Sequence, residues 1–187
     1  MLDDKSQNEV VPHVKVTQII VLALFSGVLV FGGVVLFTPA DDRNGEMGIL
    51  SLMSVGMTGI SVLVSFLIPK LIVKQNRNKI ASGDWAVVPS GAPIKETDAG
   101  KFSIVFQMTT IVGCTVLEGA AFFALIAYMQ EGHLTTLVST GVLMLGILLY
   151  FPTRTRIENW IEHQLRLVDE ERSLSGHNYD VDHKPHR

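Results

Sequence analysis

The chain has 187 residues, 48% of them apolar and 18% charged, with a net charge of −3, and its length suits a single domain. That charge balance excludes a nucleic-acid binder, because the basic residues flank apolar stretches and form no groove of their own. One cysteine, Cys114, excludes an internal disulfide and any multi-cysteine metal site.

Residues 1–15 form a short polar N-terminal segment. Four stretches then follow that suit a bilayer. The hydrocarbon core is about 30 Å thick, and a helix rising about 1.5 Å per residue needs about 20 apolar residues to cross it. Val16 to Phe37 carries no charge, and neither does Met47 to Ile68, which Pro69-Lys70 closes. Phe102 to Met129 carries one charge, Glu118. The fourth and shortest stretch begins at Leu134 and ends near Pro152. Each is expected to be helical, because lipid offers no partner to an unpaired backbone N–H. The expected class is all-α, a four-span membrane bundle over 16–152 with spans near 16–37, 47–69, 102–129 and 134–152. An alternative for the first span is a signal peptide cleaved near Thr38-Pro39-Ala40. Its apolar run exceeds the usual length of about 7–15 residues, which favours a retained span.

All but Arg43 of the fifteen Lys and Arg residues fall on one side of this arrangement. The positive-inside rule then places both termini and the loop 70–101 in the cytoplasm, as in a multi-pass inner-membrane protein. Within that loop, "KLIVKQNRNK" reads as a basic helical extension and "SGDWAVVPSGAPIKETDAGK" as irregular chain rich in Gly, Pro and Ser. Trp85 suits the headgroup region. After Pro152, Ile157, Trp160, Ile161, Leu165 and Val168 recur at helical spacing, which predicts an amphipathic helix over 153–174 with Thr153 as its N-cap. That helix is expected to lie along the membrane or pack on the basic loop, with Arg154, Arg156 and Trp160 at the interface. A helix-in-groove or coiled-coil contact with a partner is the alternative. Residues 175–187 read as a disordered tail, in which His177, Asp180, Asp182, His183 and His186 are not expected to hold a metal.

Glu118 is the one charge within a span, and an intramembrane carboxyl is a functional candidate by default. Gln107, Thr110, Cys114, Glu118 and Ala121 share one helix face. In the second span Ser51, Ser54, Thr58, Ser61 and Ser65 recur at spacings of three and four, a hydroxyl stripe that permits close helix packing, and Gly48, Gly56 and Gly59 add room. The expectation is that the second span is the central packing helix and that Glu118 meets its stripe. The carboxyl serves either as interhelical glue or as an ion or proton site. A nucleophile–base pair would have to be Cys114 with Glu118, and Cys114 reads as a small buried packing residue.

The stretch "IVGCTVLEGAAFFALIAYMQEG", residues 111–132, resembles the carboxylate helix of rotary-ATPase proteolipid (c-ring) subunits, which implies Glu118 as a proton- or sodium-binding carboxylate. The hydroxyls of the second span stand where the proteolipid pattern has a glycine-repeat helix. The chain also resembles four-span bacterial inner-membrane proteins that share "LEGAAFF". The reading that results is a non-enzymatic component, without cofactor. Its partners are the lipid bilayer and either its own copies or another membrane protein. The alternative is a proton- or ion-coupled element built on Glu118.

Overall fold

A computed structural model describes residues 4–38, 47–83, 85 and 97–181. The described chain is all-helical, with five helices. They are α1 (Asp4–Phe37), α2 (Ile49–Ala81), α3 (Asp98–Glu131), α4 (Leu134–Leu149) and α5 (Arg154–Val181). Three of these helices, α1, α2 and α3, are long and apolar enough to cross a membrane. Alone, α4 has 16 residues, or about 24 Å at the helical rise, and it qualifies as a span only when counted with the helix that follows.

The helices overrun the expected spans. α1 begins at Asp4 and passes through Pro12. α3 begins at Asp98, where Thr97 caps it by accepting the Gly100 N–H at 3.0 Å. Ile157 N–H donates to the Thr153 carbonyl, so Thr153 opens α5 as its spacing suggested. α5 runs past the expected boundary at residue 174 to Val181, so the tail is helical further than its composition implied. Pro69 does not close α2, which continues to Ala81. A proline inside a helix removes one N–H and orphans the carbonyl four residues earlier. Here that carbonyl belongs to Ser65, and the Tyr150 hydroxyl donates to it. A donor from outside the helix therefore lets α2 run through its proline.

The chain divides into two compact units. The span unit comprises Lys15–Lys70 and Met108–Pro152. Its core joins Val21, Val28 and Val35 of α1, spaced seven apart on one face, to Cys114, Leu117, Ala120, Ala121 and Leu125 of α3 and Leu143 and Ile147 of α4. Half of the most apolar window of α3 is buried, against 22% of that of α2. The central packing helix is therefore α3, not the second span. Glycines and alanines explain this, since small side chains on α3 let its neighbours approach closely. At Gly113 an added Cβ would stand 2.8 Å from the Tyr150 ring.

The tail unit comprises Met1–Val14, Leu71–Gln107 and Thr153–Arg187. Val10 and Val14 of α1, Ile80 of α2 and Ala99 and Phe102 of α3 form its core with Ile157, Ile161 and Val168 of α5. The apolar stripe of α5 is thus covered by the chain's own helices. Trp160 sets its ring edge-to-face with Phe102 and Phe106, at centroid distances of 6.1 and 5.3 Å.

Candidate functional site

Glu118 projects from the edge of α3 and is half-buried. One carboxylate oxygen lies beside Gly27 of α1, 3.5 Å from where a Cβ would stand there, and Phe122 borders the same spot. Among the described residues Glu118 has no hydrogen-bond or ion-pair partner. The outward side of the same helix carries exposed Thr115 and Gly119, and a Cβ at Gly119 would meet nothing within 4 Å. Of the residues sharing its predicted face, Thr110, Cys114 and Ala121 are buried. Cys114 packs in the core, as its size suggests. Gln107 belongs to the tail unit, where its side-chain oxygen lies 2.8 Å from His13 Nδ1.

The hydroxyl stripe faces inward. Ser51, Ser54, Ser61 and Ser65 are buried, and Thr58 is half-buried. The expected pairing of Glu118 with this stripe is not formed. Thr58 and Ser65 donate instead to carbonyls of their own helix, Ser54 and Val62, each at 2.8 Å. Such back-bonding is how a hydroxyl satisfies itself in a helix without a neighbour. Within the span unit, Tyr150 reaches α2 at the proline and Glu131 reaches its first turn.

Glu131 was not singled out by the sequence, because it reads as part of a tight turn. Its two carboxylate oxygens accept the N–H groups of Leu50 and Ser51 at 2.8 and 2.7 Å, so a side chain from α3 caps α2. A carboxylate suits that place, where unsatisfied N–H groups and the helix dipole converge. The Ser51 hydroxyl and then the N–H groups of Ser51, Leu50 and Gly48 hold the Glu131 carboxyl below the usual range. That hydroxyl lies outside hydrogen-bonding geometry, so the backbone donors are the firmer anchors. A Cβ at Gly48 would overlap the Glu131 carboxylate, which explains the glycine. Gly132, at φ +69°, then turns the chain sharply so that α4 can start at once, with the His133 ring accepting from Thr135 N–H.

A carboxyl whose pKa is lowered on folding stabilises above its unfolded value and loses that contribution as pH falls through the folded one. Melting of the purified protein between about pH 7 and pH 3 is expected to show a drop below the ordinary Glu range. Glu131→Gln is expected to flatten the drop, and Gly48→Ala to lower melting at neutral pH. An unchanged acid profile in Glu131→Gln would remove the cap from this account.

A second polar cluster lies in the tail unit. The Arg172 guanidinium donates to the Ile80 carbonyl at 3.0 Å and pairs with Asp98 at 3.0 Å. Lys101 pairs with the same Asp98 at 2.7 Å, and Arg77 with Glu171 at 2.8 Å. Partial burial pushes the Asp98 carboxyl up, but Lys101 and then Arg172 outweigh it and hold it below its ordinary value.

The residues assigned to the membrane interface are engaged within the tail unit. Trp85 donates to Asn76 Oδ1 at 3.3 Å and packs on the core. Arg154 pairs with Glu158 at 2.7 Å, and Arg156 is exposed. His177 and Asp180 belong to the helical end of α5, while Asp182, His183 and His186 lie outside the described residues. Among the described residues no three metal-binding side chains come together. Comparison with known proteins finds no family model, no curated protein and no solved structure that matches the chain.

Proposed function

We propose that this protein is a non-enzymatic multi-pass component of the inner membrane. Both termini lie in the cytoplasm, and it assembles in the bilayer with its own copies or with another membrane protein. The observation that carries the reading is Glu118, half-buried beside the exposed Thr115 and Gly119 and without a partner among the described residues. A carboxyl in hydrocarbon costs at least about 2.5 kcal/mol on insertion scales. A second helix that donates to it recovers part of that cost, and the open space at Gly119 allows the approach. The hydroxyl stripe of α2 is largely buried inside the chain, which leaves this edge of α3 as the assembling face.

The same unpartnered carboxyl favours a second reading, a proton- or ion-coupled element, in keeping with the resemblance of residues 111–132 to the proteolipid helix. One experiment separates them. Association in vesicles is measured by energy transfer between labelled copies, and acid-driven proton uptake by an entrapped dye. Glu118→Leu is expected to weaken association about three- to twentyfold, the range for an interhelical polar contact. Glu118→Gln, which still hydrogen-bonds, is expected to keep most of it. Association untouched by Glu118→Leu, with proton uptake abolished by Glu118→Gln, would replace the assembly reading with the ion-coupled one. If the wild type does not self-associate, co-purification from its native membrane tests the hetero-assembly form.

A further inference from the structure

Arg172 touches both ends of the connection between α2 and α3. On one side it donates to the carbonyls of Ile80 and Ala81, at 3.0 and 3.5 Å, in the last turn of α2. On the other it pairs with Asp98, in the first turn of α3. Both contacts follow helix-end electrostatics, with a cation at a C-terminus and an anion at an N-terminus. Beside it, Glu171 of α5 pairs with Arg77 of α2.

The two halves of α5 are held by different forces. Ile157 and Ile161 are almost wholly buried, and Trp160 adds its aromatic contacts, so the first half is fixed by apolar packing. The far end relies on ions as well as on Val168. The charged side chains of these pairs are partly reached by solvent, with Arg172 and Glu171 of α5 42% and 32% exposed, Asp98 of α3 23% and Arg77 of α2 22%. Ion pairs in that range respond to salt, whereas the buried aliphatic contacts do not weaken with it.

We propose that the far end of α5 is a releasable clamp that fastens the α2–α3 connection through Arg172 and Glu171. With the clamp closed, the last turn of α2 and the first turn of α3 are tied to one guanidinium. With it open, α5 stays docked through Ile157, Trp160 and Ile161 while its far end and the first turn of α3 loosen together.

Amide hydrogen exchange of the full chain in nanodiscs of zwitterionic lipid tests this. Salt is raised from about 10 mM to about 1 M, over which the screening length falls from about 30 to 3 Å. In the wild type, salt is expected to speed exchange about three- to tenfold at 168–173 and at 98–101, but not at 157–161. Arg172→Gln is expected to reproduce that pattern at low salt and to lose most of the salt response. Arg154→Gln removes a charge from a pair within α5 and is expected to leave those segments as they are. Three results would overturn the clamp. They are a wild type indifferent to salt, equal effects of Arg172→Gln and Arg154→Gln, and faster exchange spread evenly along α5.

Discussion

Ile161→Ala is expected to destabilise the tail unit by about 2–5 kcal/mol, the range for deleting a buried aliphatic side chain and leaving a cavity. Ile161 has no exposed surface and sits where α5 meets the core formed by Ile80, Ala99 and Phe102. The loss should appear in denaturant titration followed by Trp160 fluorescence, since that ring lies against Phe102 and Phe106. The melting of the span unit, followed independently through a probe on α4, should shift far less. If α5 instead lay along a lipid surface, Ile161→Ala would weaken membrane contact and leave Trp160 packing unchanged. The experiment therefore distinguishes a helix docked on its own chain from one docked on lipid.

Gly113→Ala is the substitution expected to perturb the span unit most. The new methyl would stand 2.8 Å from the Tyr150 ring, and a ring held at both ends has little room to retreat. Overpacking of this kind costs about 1–3 kcal/mol. A second loss follows, because displacing Tyr150 takes its hydroxyl from the Ser65 carbonyl that Pro69 leaves unpaired. Tyr150→Phe isolates that second part and should cost about 0.6–1.7 kcal/mol, as interhelical hydrogen bonds in membranes do. Gly113→Ala should therefore destabilise more than Tyr150→Phe in a detergent-denaturation series. Combining it with Pro69→Ala should recover the hydrogen-bond share, because α2 then satisfies Ser65 with its own N–H. Equal stability of Gly113→Ala and the wild type would show that the close approach of α3 to Tyr150 carries no weight.

The helix count, the position of the apolar stretches and the amphipathic stripe of α5 were legible in the sequence. They depend on local properties, namely runs without charge and a repeat near 3.6 residues, which no tertiary contact has to supply. The inward orientation of Ser51, Ser54, Ser61 and Ser65 was legible for the same reason. Pro69 was read as the close of the second span, whereas the helix runs through it to Ala81 because Tyr150 supplies the missing donor to the Ser65 carbonyl.

Which residue met which depended on the tertiary structure. The partner of the hydroxyl stripe was expected to be Glu118, the most conspicuous charge, and the groups that reach α2 within the span unit include Glu131 and Tyr150 instead. Both sit at helix ends; the sequence reads Glu131 as part of a turn and Tyr150 as part of the fourth span, and neither as a contact for α2. Their roles arise from contacts between helices far apart in sequence, a pairing no local pattern encodes. The rank of α3 over α2 as the central helix followed likewise from packing, since hydroxyls and small apolar residues serve equally well at a helix contact. The sequence by itself determined that the chain is helical and where its apolar stretches lie. Only the tertiary structure decided that α5 turns its apolar stripe on its own chain and that Glu118 has no partner among the described residues, because both outcomes depend on which surfaces compete for the same contact.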